Sequence, residues 1–233
     1  MSQHDIDEQI NAWCASVKRA EQAGVDFIEI HSAHGYLFSE FLSPLSNQRT
    51  DQYGGSRENR ARILLDTIRA VRQIWSKTLL VRISCDEFVS GGWSSDDSVW
   101  LAGEMQKLGV DMIDCSAGGN NAQQKFPSLQ EGYQVPYAAA IKQKYPDFIV
   151  GAVGALTTAQ YCNDIIESGK CDIVLVAREL MRNPHLAITW ANELGYQITY
   201  APQYQRSKPS SKLSKQSQVN TVSQSENVNT PQK

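Results

Sequence analysis

The chain alternates short apolar runs with longer segments of helical periodicity, and this alternation is the strongest constraint on its fold. The apolar runs, which have the length of buried strands, are 25–30, 79–84, 111–115, 148–150 and 172–176. The helical segments are 5–23, Ser56 to Trp75, 95–108, 134–144, 158–168 and 184–194. Apolar runs of this kind suit a parallel sheet that is covered on both faces. The pattern therefore predicts an α/β protein, built as a barrel or as a doubly wound open sheet.

Composition and charge exclude several classes of protein. The 233-residue chain has a net charge of −3, so no basic surface indicates nucleic-acid binding. No apolar run is long enough to span a membrane, and the first residues lack a signal-peptide pattern. The five cysteines form no C-x-x-C pair, which favours reduced thiols in a cytoplasmic protein. Residues 207–233 are rich in Ser, Gln, Asn and Thr and are predicted to be a disordered low-complexity tail.

A cluster of polar side chains follows the first predicted strand, in the segment His31-Ser-Ala-His34-Gly-Tyr36. The carboxyl end of a strand is where α/β proteins keep their chemistry. The two histidines could bind a metal together with Glu29 or Glu40, or they could be core or capping residues. They could also donate hydrogen bonds to one ligand oxygen, with Tyr36 as a nearby acid. The pattern alone does not choose among these three roles.

Small residues and one arginine follow the last two predicted strands. Gly151-Ala-Val153-Gly154 comes after the fourth strand, and Ala177-Arg178 comes after the fifth. This combination is typical of a phosphate cradle, as found after the last two strands of a (β/α)8 barrel. Arg82 lies within an otherwise apolar strand, where a charge must be paired or must touch a ligand. The sequence does not choose between a structural ion pair and a ligand contact.

These motifs, with the residues around them, resemble the Old Yellow Enzyme family. The resemblance is carried by His31–Leu37, Glu40–Pro44, Asn47–Ser56 and Glu58–Arg62, and it extends from about residue 5 to residue 206. It implies a TIM (β/α)8 barrel with an FMN-dependent NAD(P)H oxidoreductase or ene-reductase activity. The pair of histidines is similar to the branch often called thermophilic-like. NADPH or NADH would be the reductant, and an α,β-unsaturated carbonyl compound would be the substrate.

The resemblance also implies roles for individual residues. His31 and His34 would bind the substrate oxygen, Tyr36 would donate a proton, and reduced flavin N5 would supply the hydride. The cofactor-binding residues would be Arg82 at the N1/C2 edge of the flavin, Ser116 in the flavin pocket, and Val153, Gly154, Ala177 and Arg178 at the FMN phosphate. Position 177 holds alanine where many relatives carry glycine. Arg206 would reach the active site of a neighbouring subunit, which implies a homo-oligomer.

The family carries three more strands before the first strand predicted here. A TIM barrel has eight strands, so the five predicted strands would correspond to family strands four to eight. Residues 1–206 are therefore expected to form a partial FMN-binding barrel that is truncated at its N-terminal side. Two other hypotheses stay open: a non-catalytic remnant of such an enzyme, and a phosphate-binding barrel lyase or isomerase that uses His31 and His34 as acid and base.

Overall fold

The computed structural model describes residues 1–208, so the predicted tail at 207–233 falls outside the described residues from position 209 onward. The chain divides into two compact units, Met1–Leu186 and a second unit that begins at Ala187. The first unit contains the whole sheet described below. The placement of the barrel domain boundary at residue 206 stays a prediction.

The elements of the first unit alternate between helix and strand. The strands are β1 (Phe27–Ser32), β2 (Thr78–Ser84), β3 (Met112–Ser116), β4 (Ile149–Val153) and β5 (Ile173–Leu175). The helices are α1 (Gln3–Gln22), α2 (Leu37–Leu42), α3 (Arg57–Arg72), α4 (Ser95–Lys107), α5 (Val135–Lys144), α6 (Ala159–Glu167) and α7 (Arg178–Arg182). The second unit contains α8 (Leu186–Glu193), which begins at the boundary, and a 3₁₀ helix (Pro202–Ser207).

The five strands form one parallel sheet in which the spatial order follows the sequence, β1-β2-β3-β4-β5. A doubly wound sheet reverses its strand order at a switch point, whereas a (β/α)8 barrel adds each strand beside the one before it. The sequential order excludes the doubly wound arrangement. It confirms the prediction of an arc of barrel strands.

The two faces of the sheet differ in burial. Helices cover the face that carries Ile30, Val81 and Ile113, each at most 1% exposed. The opposite face carries Phe27, Ile149 and Ile173, which are 60%, 43% and 42% exposed, whereas Leu80, Met112 and Asp114 on that face are buried. The expectation of a sheet covered on both faces therefore holds in the middle of this face and is wrong at Phe27, Ile149 and Ile173. The apolar runs suggested two covered faces because the interior of a barrel is also packed with branched side chains.

Local sequence signals place most of the elements. Ser2 with Asp5 and Ser94 with Asp97 form capping boxes that begin α1 and α4. Ser56 caps α3, as the sequence predicts. The first strand differs from its predicted bounds of 25–30, because its pairing with β2 carries it on to Ser32. His31 therefore lies inside a strand rather than after one.

Candidate active site

The histidine segment is held by backbone geometry at the carboxyl end of β1. His31 stands in register with Arg82 on β2, so both side chains project from the open face of the sheet. The backbone N–H of Ala33 donates to His31 Nδ1 at 3.1 Å. His34 adopts a left-handed conformation, with φ of 60°, and its N–H donates to Ser84 Oγ at 2.9 Å. This tight turn aims the second imidazole back toward the sheet.

Two glycines let the histidine turn pack against the loop that follows β3. A Cβ on Gly35 would lie 2.5 Å from the carbonyl oxygen of Gly119. A Cβ on Gly119 would lie 2.8 Å from the Cα of His34. Both glycines also have positive φ angles. Any side chain at either position would therefore push the His34 turn away from the third strand.

Hydrogen bonds connect the two histidines to the next two loops. His31 Nε2 lies 3.4 Å from His34 Nδ1, and His34 Nε2 lies 2.8 Å from Ser116 Oγ. Ser116 donates to Gln134 Oε1 at 3.4 Å, and Gln134 Nε2 donates to the Val153 carbonyl at 2.9 Å. The predicted residues His31, His34, Ser116 and Val153 are thus brought together. Gln134 belongs to the same chain of contacts, and no pattern in the sequence singles it out.

Both imidazoles are neutral near pH 7. Burial lowers the pKa of His34 to about 4, and the positive charge of Arg82 and the neighbouring His31 act in the same direction. Burial, followed by Arg82, also lowers the pKa of His31. Neutral imidazoles donate one hydrogen bond each and accept one. The pair can therefore polarise an oxygen without carrying a full charge.

Tyr36 lies beside the histidines but projects outward. Its ring stands edge-on to His31, with centroids 5.4 Å apart. The residue is 66% exposed, and it forms the N-cap of α2 without a side-chain capping bond. The phenol is therefore free to turn toward a ligand that is held at the imidazoles.

Arg82 pairs with a buried carboxylate on the next strand. Arg82 Nη1 lies 3.2 Å from Asp114 Oδ2, and Asp114 is fully buried. Three buried atoms of this pair have no hydrogen-bond partner among the described residues. They are the two carboxylate oxygens of Asp114 and Nε of Arg82. Burial raises the pKa of Asp114 to about 7, although Arg82 acts to lower it. Arg82 thus forms a structural ion pair and also keeps one N–H group available for a ligand, the two roles that the sequence left open.

A cavity of about 580 Å³ lies at the carboxyl ends of the strands. It is lined by His34, Arg82, Ser116, Gly154, Ala177 and Arg178, among others. The Gly154 turn has φ of 111°, and a Cβ there would collide with the side-chain amide of Gln134. The cavity therefore joins the second histidine and the buried arginine to the predicted phosphate cradle.

Metal binding is one of the three roles that the sequence leaves open for His31 and His34, whereas the sequence predicts no membrane span. Among residues 1–208, no group of three or more His, Cys, Asp or Glu side chains is placed to hold a metal ion. None of the described helices combines the length and the apolar character that crossing a membrane requires. Arg206 lies in the second unit, within the 3₁₀ helix.

Comparison with known proteins relates this geometry to a family. The sequence profile of the NADH:flavin oxidoreductase / NADH oxidase family, whose members use FMN, matches residues 1–197. An NADPH dehydrogenase of Bacillus cytotoxicus is 44% identical over 206 residues, which cover 88% of this chain and 59% of that protein. An NADPH dehydrogenase of a Geobacillus species is 45% identical, with 88% of this chain and 60% of that protein covered. The chain thus spans about three fifths of the length of these relatives.

A solved structure supports the fold independently. Morphinone reductase, in complex with tetrahydroNAD, superposes with a TM-score of 0.68. It is 24% identical, and the match covers 87% of this chain and 53% of that one. The family expected from the histidine and glycine motifs is confirmed by the sequence matches. On the evidence of its sequence and its barrel strands, the chain belongs to the NADH:flavin oxidoreductase / NADH oxidase family, of the Old Yellow Enzyme type.

Proposed function

We propose that this chain carries the active-site half of an FMN-dependent oxidoreductase that uses NADPH or NADH to reduce the C=C bond of α,β-unsaturated carbonyl compounds. The observation that carries the proposal is a neutral His34 that lines the cavity together with Arg82 and Arg178, with the neutral imidazole of His31 3.4 Å behind it. Two imidazoles and two guanidiniums match a site for a polar substrate oxygen beside an anionic cofactor.

The cavity fits a flavin nucleotide. Its volume lies in the range of ordinary cofactor sites, about 300–1,000 Å³. The buried Nε of Arg82 has no hydrogen-bond partner among the described residues, and the flavin ring would supply an acceptor for it. Arg178, with the backbone of Val153, Gly154 and Ala177, would hold the phosphate, and Ser116 would border the ring. The alanine at position 177 keeps the backbone N–H that a phosphate needs.

The histidine pair would hold and polarise the substrate. His31 Nε2 and His34 Nδ1 are 3.4 Å apart, so one carbonyl oxygen placed beside them could accept a hydrogen bond from each. These bonds strengthen as negative charge develops on that oxygen, which lowers the barrier to reaction. Tyr36 would then donate its phenolic proton to the α-carbon. Bound FMN supplies the hydride chemistry, with N5 as the donor atom.

Arg82 would favour an anionic group in the cavity. Its partner Asp114 has a pKa near 7, so the carboxylate neutralises the guanidinium only in part at neutral pH. Part of the positive charge of Arg82 is therefore available to the cavity. A cation at the electron-rich edge of the flavin stabilises negative charge on the ring in the reduced state.

The His31–His34 pair supports placement in the two-histidine, thermophilic-like branch of the family. Arg206 is proposed to complete the active site of a neighbouring subunit in a homo-oligomer. The substrate is proposed to be a small electrophile, such as an enone.

A spectrum tests the proposal directly. The full chain is incubated with FMN, desalted, and examined by visible absorption before and after anaerobic addition of NADPH. We expect retained flavin bands that bleach with NADPH and return when 2-cyclohexenone is added. A desalted protein without flavin, or a reduced flavin that the enone does not reoxidise, would overturn the proposal.

A second candidate is a non-catalytic remnant of such an enzyme. The open face of the sheet favours it, because Phe27, Ile149 and Ile173 are exposed where a closed barrel would bury them. This candidate predicts a chain that retains no flavin and has no turnover. The same spectrum therefore separates the two candidates.

A further inference from the structure

The hydrogen bonds around the histidines form one continuous chain from β1 to β4. It begins at the backbone N–H of Ala33, passes through His31, His34, Ser116 and Gln134, and ends at the carbonyl of Val153. The two ends are backbone groups whose roles cannot change, since an amide N–H only donates and a carbonyl oxygen only accepts. The chain therefore has a single direction.

That direction fixes the tautomers of the two neutral imidazoles. His31 Nδ1 accepts from Ala33, so its proton is on Nε2 and is donated to His34 Nδ1. His34 then carries its own proton on Nε2 and donates it to Ser116 Oγ. At the other end, the Val153 carbonyl orients the Gln134 amide so that its oxygen accepts from the Ser116 hydroxyl. In this state His34 Nδ1 is an acceptor.

An accepting Nδ1 cannot donate a hydrogen bond to a carbonyl or phenolate oxygen. The imidazole of His34 has to carry its proton on Nδ1 to donate there, and its Nε2 then needs a donor. Ser116 lies 2.8 Å from that nitrogen, and its hydroxyl can rotate to donate instead of accept. The rotation gives up the 3.4 Å bond to Gln134, one of the two longest in the chain.

We propose that Ser116 is a positioning residue that sets the tautomer of His34. In the free protein its hydroxyl accepts from His34 Nε2–H. When a ligand oxygen arrives, the hydroxyl reverses and donates to Nε2, and His34 presents Nδ1–H to the ligand. One proton leaves Nε2 and one is taken up at Nδ1 through solvent, so the charge of the imidazole does not change. The proposal has two halves. The ligand-bound half, in which the hydroxyl donates to His34 Nε2, rests on the proposed function. The free-protein half, in which the hydroxyl accepts from His34 Nε2–H, does not.

Nitrogen NMR of the full chain reads the tautomers directly. The protein has four histidines, so ¹⁵N-histidine labelling with a two-bond ¹H–¹⁵N correlation gives few signals. The His34→Gln variant assigns the signal of interest. We expect Nε2–H for His34 in the free protein and Nδ1–H after FMN loading and addition of 4-chlorophenol, a probe with one acidic oxygen. A His34 that carries Nδ1–H in the free protein, or that keeps Nε2–H with bound phenol, would overturn the proposal.

Ser116→Ala, Ser116→Thr and Ser32→Ala complete the test. Ser32 is a matched control because its buried hydroxyl has no hydrogen-bond partner among the described residues. Loss of one hydrogen bond should weaken phenol binding about tenfold in Ser116→Ala, with mixed His34 tautomers in the phenol-bound protein. Ser116→Thr keeps the hydroxyl and should restore a single tautomer, and Ser32→Ala should behave like the wild type.

The outcomes separate this proposal from the proposed function. If the wild-type chain binds no phenol, the proposed function and the ligand-bound half fail together, and the free-protein spectrum still decides the other half. If phenol binds and Ser116→Ala changes neither tautomer nor affinity, the positioning role fails alone. A tautomer change without any change in affinity would also overturn the ligand-bound half.

Discussion

Arg82 and Asp114 show how a buried pair can hold a positive charge at a cavity at a cost in stability. The carboxylate is fully buried, and its only charged partner within 4.0 Å among the described residues is the guanidinium 3.2 Å away. Removing a carboxylate from water in this way costs more free energy than its attraction to one guanidinium recovers. The pair therefore weakens the apo fold while it keeps a cation at the cavity.

The buried carboxyl makes stability depend on pH. Burial raises the pKa of Asp114 to about 7 in the folded chain, above its unfolded value near 4. The folded state then binds the proton more tightly, so the contribution of Asp114 to the free energy of unfolding is most favourable below about pH 4 and is lost as the pH rises through 7. The asparagine side chain does not titrate. As the pH rises from 5 to 8, the free energy of unfolding of Asp114→Asn should therefore increase by on the order of 2 kcal/mol relative to that of the wild type.

Urea denaturation at both pH values measures this difference. Asp147→Asn is the matched control, because Asp147 is exposed. Parallel changes in the wild type and in Asp114→Asn would show that Asp114 does not titrate in this range. The control should follow the wild type at both pH values.

The histidine pair gives a second prediction at the level of single residues. His31→Ala and His34→Ala should each weaken phenol binding about tenfold, since each removes one donor from the ligand oxygen. Both variants should retain FMN, because the proposed phosphate contacts lie after β4 and β5. Equilibrium titration of the FMN-loaded proteins with 4-chlorophenol measures the effect.

His4→Ala is the control for this pair, because His4 lies on α1 with an exposed side chain. Affinity like that of the wild type in both active-site variants would remove the histidines from the ligand oxygen. Loss of flavin from either variant would show instead that the imidazole supports the cofactor.

The sequence allowed the prediction of the site residues whose chemistry is unusual for their position. His31 and His34 stand out after an apolar strand, and Arg82 stands out within one. Asp114 carried the same signal, an acid inside an apolar strand, and could have been paired with Arg82. Gln134 could not have been found, because its role comes from a loop that folds back over two strand ends. A contact between residues far apart in the chain leaves no signal in the local sequence.

The loops on either side of β1 depend on two glycines that serve different purposes, Gly24 before the strand and Gly35 after it. Gly24 and Gly35 both have φ of 77°, so both are strained by any other residue. A Cβ on Gly24 would meet nothing within 4 Å, whereas a Cβ on Gly35 would lie 2.5 Å from a backbone oxygen. The first glycine is needed for its conformation alone, and the second also for close packing.

Alanine substitution separates these two effects. Gly24→Ala should cost about 1 kcal/mol of unfolding free energy, from the left-handed conformation alone. Gly35→Ala should cost about 3 kcal/mol, because the turn must also move away from the carbonyl of Gly119. Urea midpoints compare the two variants. Equal losses would show that the His34 turn moves without resistance and is not held by this contact.

Arg178 begins α7 directly after β5, and it should act on the cofactor rather than on the substrate. Arg178→Ala should retain about tenfold less FMN after desalting, because a charged hydrogen bond to phosphate is lost. Arg69→Ala is the control, since Arg69 pairs with Asp66 on α3. Retention equal to that of the control would remove Arg178 from the phosphate site.

Elements were predictable where a local signal marks their ends. The N-cap Ser56 predicts the start of α3, and Gly24 predicts the end of α1. The capping box of Ser94 and Asp97 at the start of α4 is the same kind of local signal. The six-residue α2 and the five-residue α7 escaped prediction, because such short helices show too little periodicity. The shift of β1 to Ser32 also escaped, because the ladder with β2 rather than the apolar run sets where that strand ends.

The whole sheet presents an unusual surface for a parallel sheet. β1 and β5 are its two edges, and its open face exposes Phe27, Ile149 and Ile173. Edges and apolar faces of this kind pair with further strands when these are supplied. A closed barrel of the family would cover the same surface with additional strands.

Co-expression with the missing strands tests whether they cover the edges and the open face of the sheet. The part of the Bacillus cytotoxicus relative that this chain does not match is co-expressed with the chain. We expect the two polypeptides to co-elute on size exclusion, with less binding of a fluorescent apolar dye and higher FMN retention than the chain alone.

Phe27→Glu should abolish the association, because it places a charge on the open face. Met181→Glu is the control, since Met181 is 82% exposed and lies outside the sheet. Association that survives Phe27→Glu would show that the added strands do not cover this face.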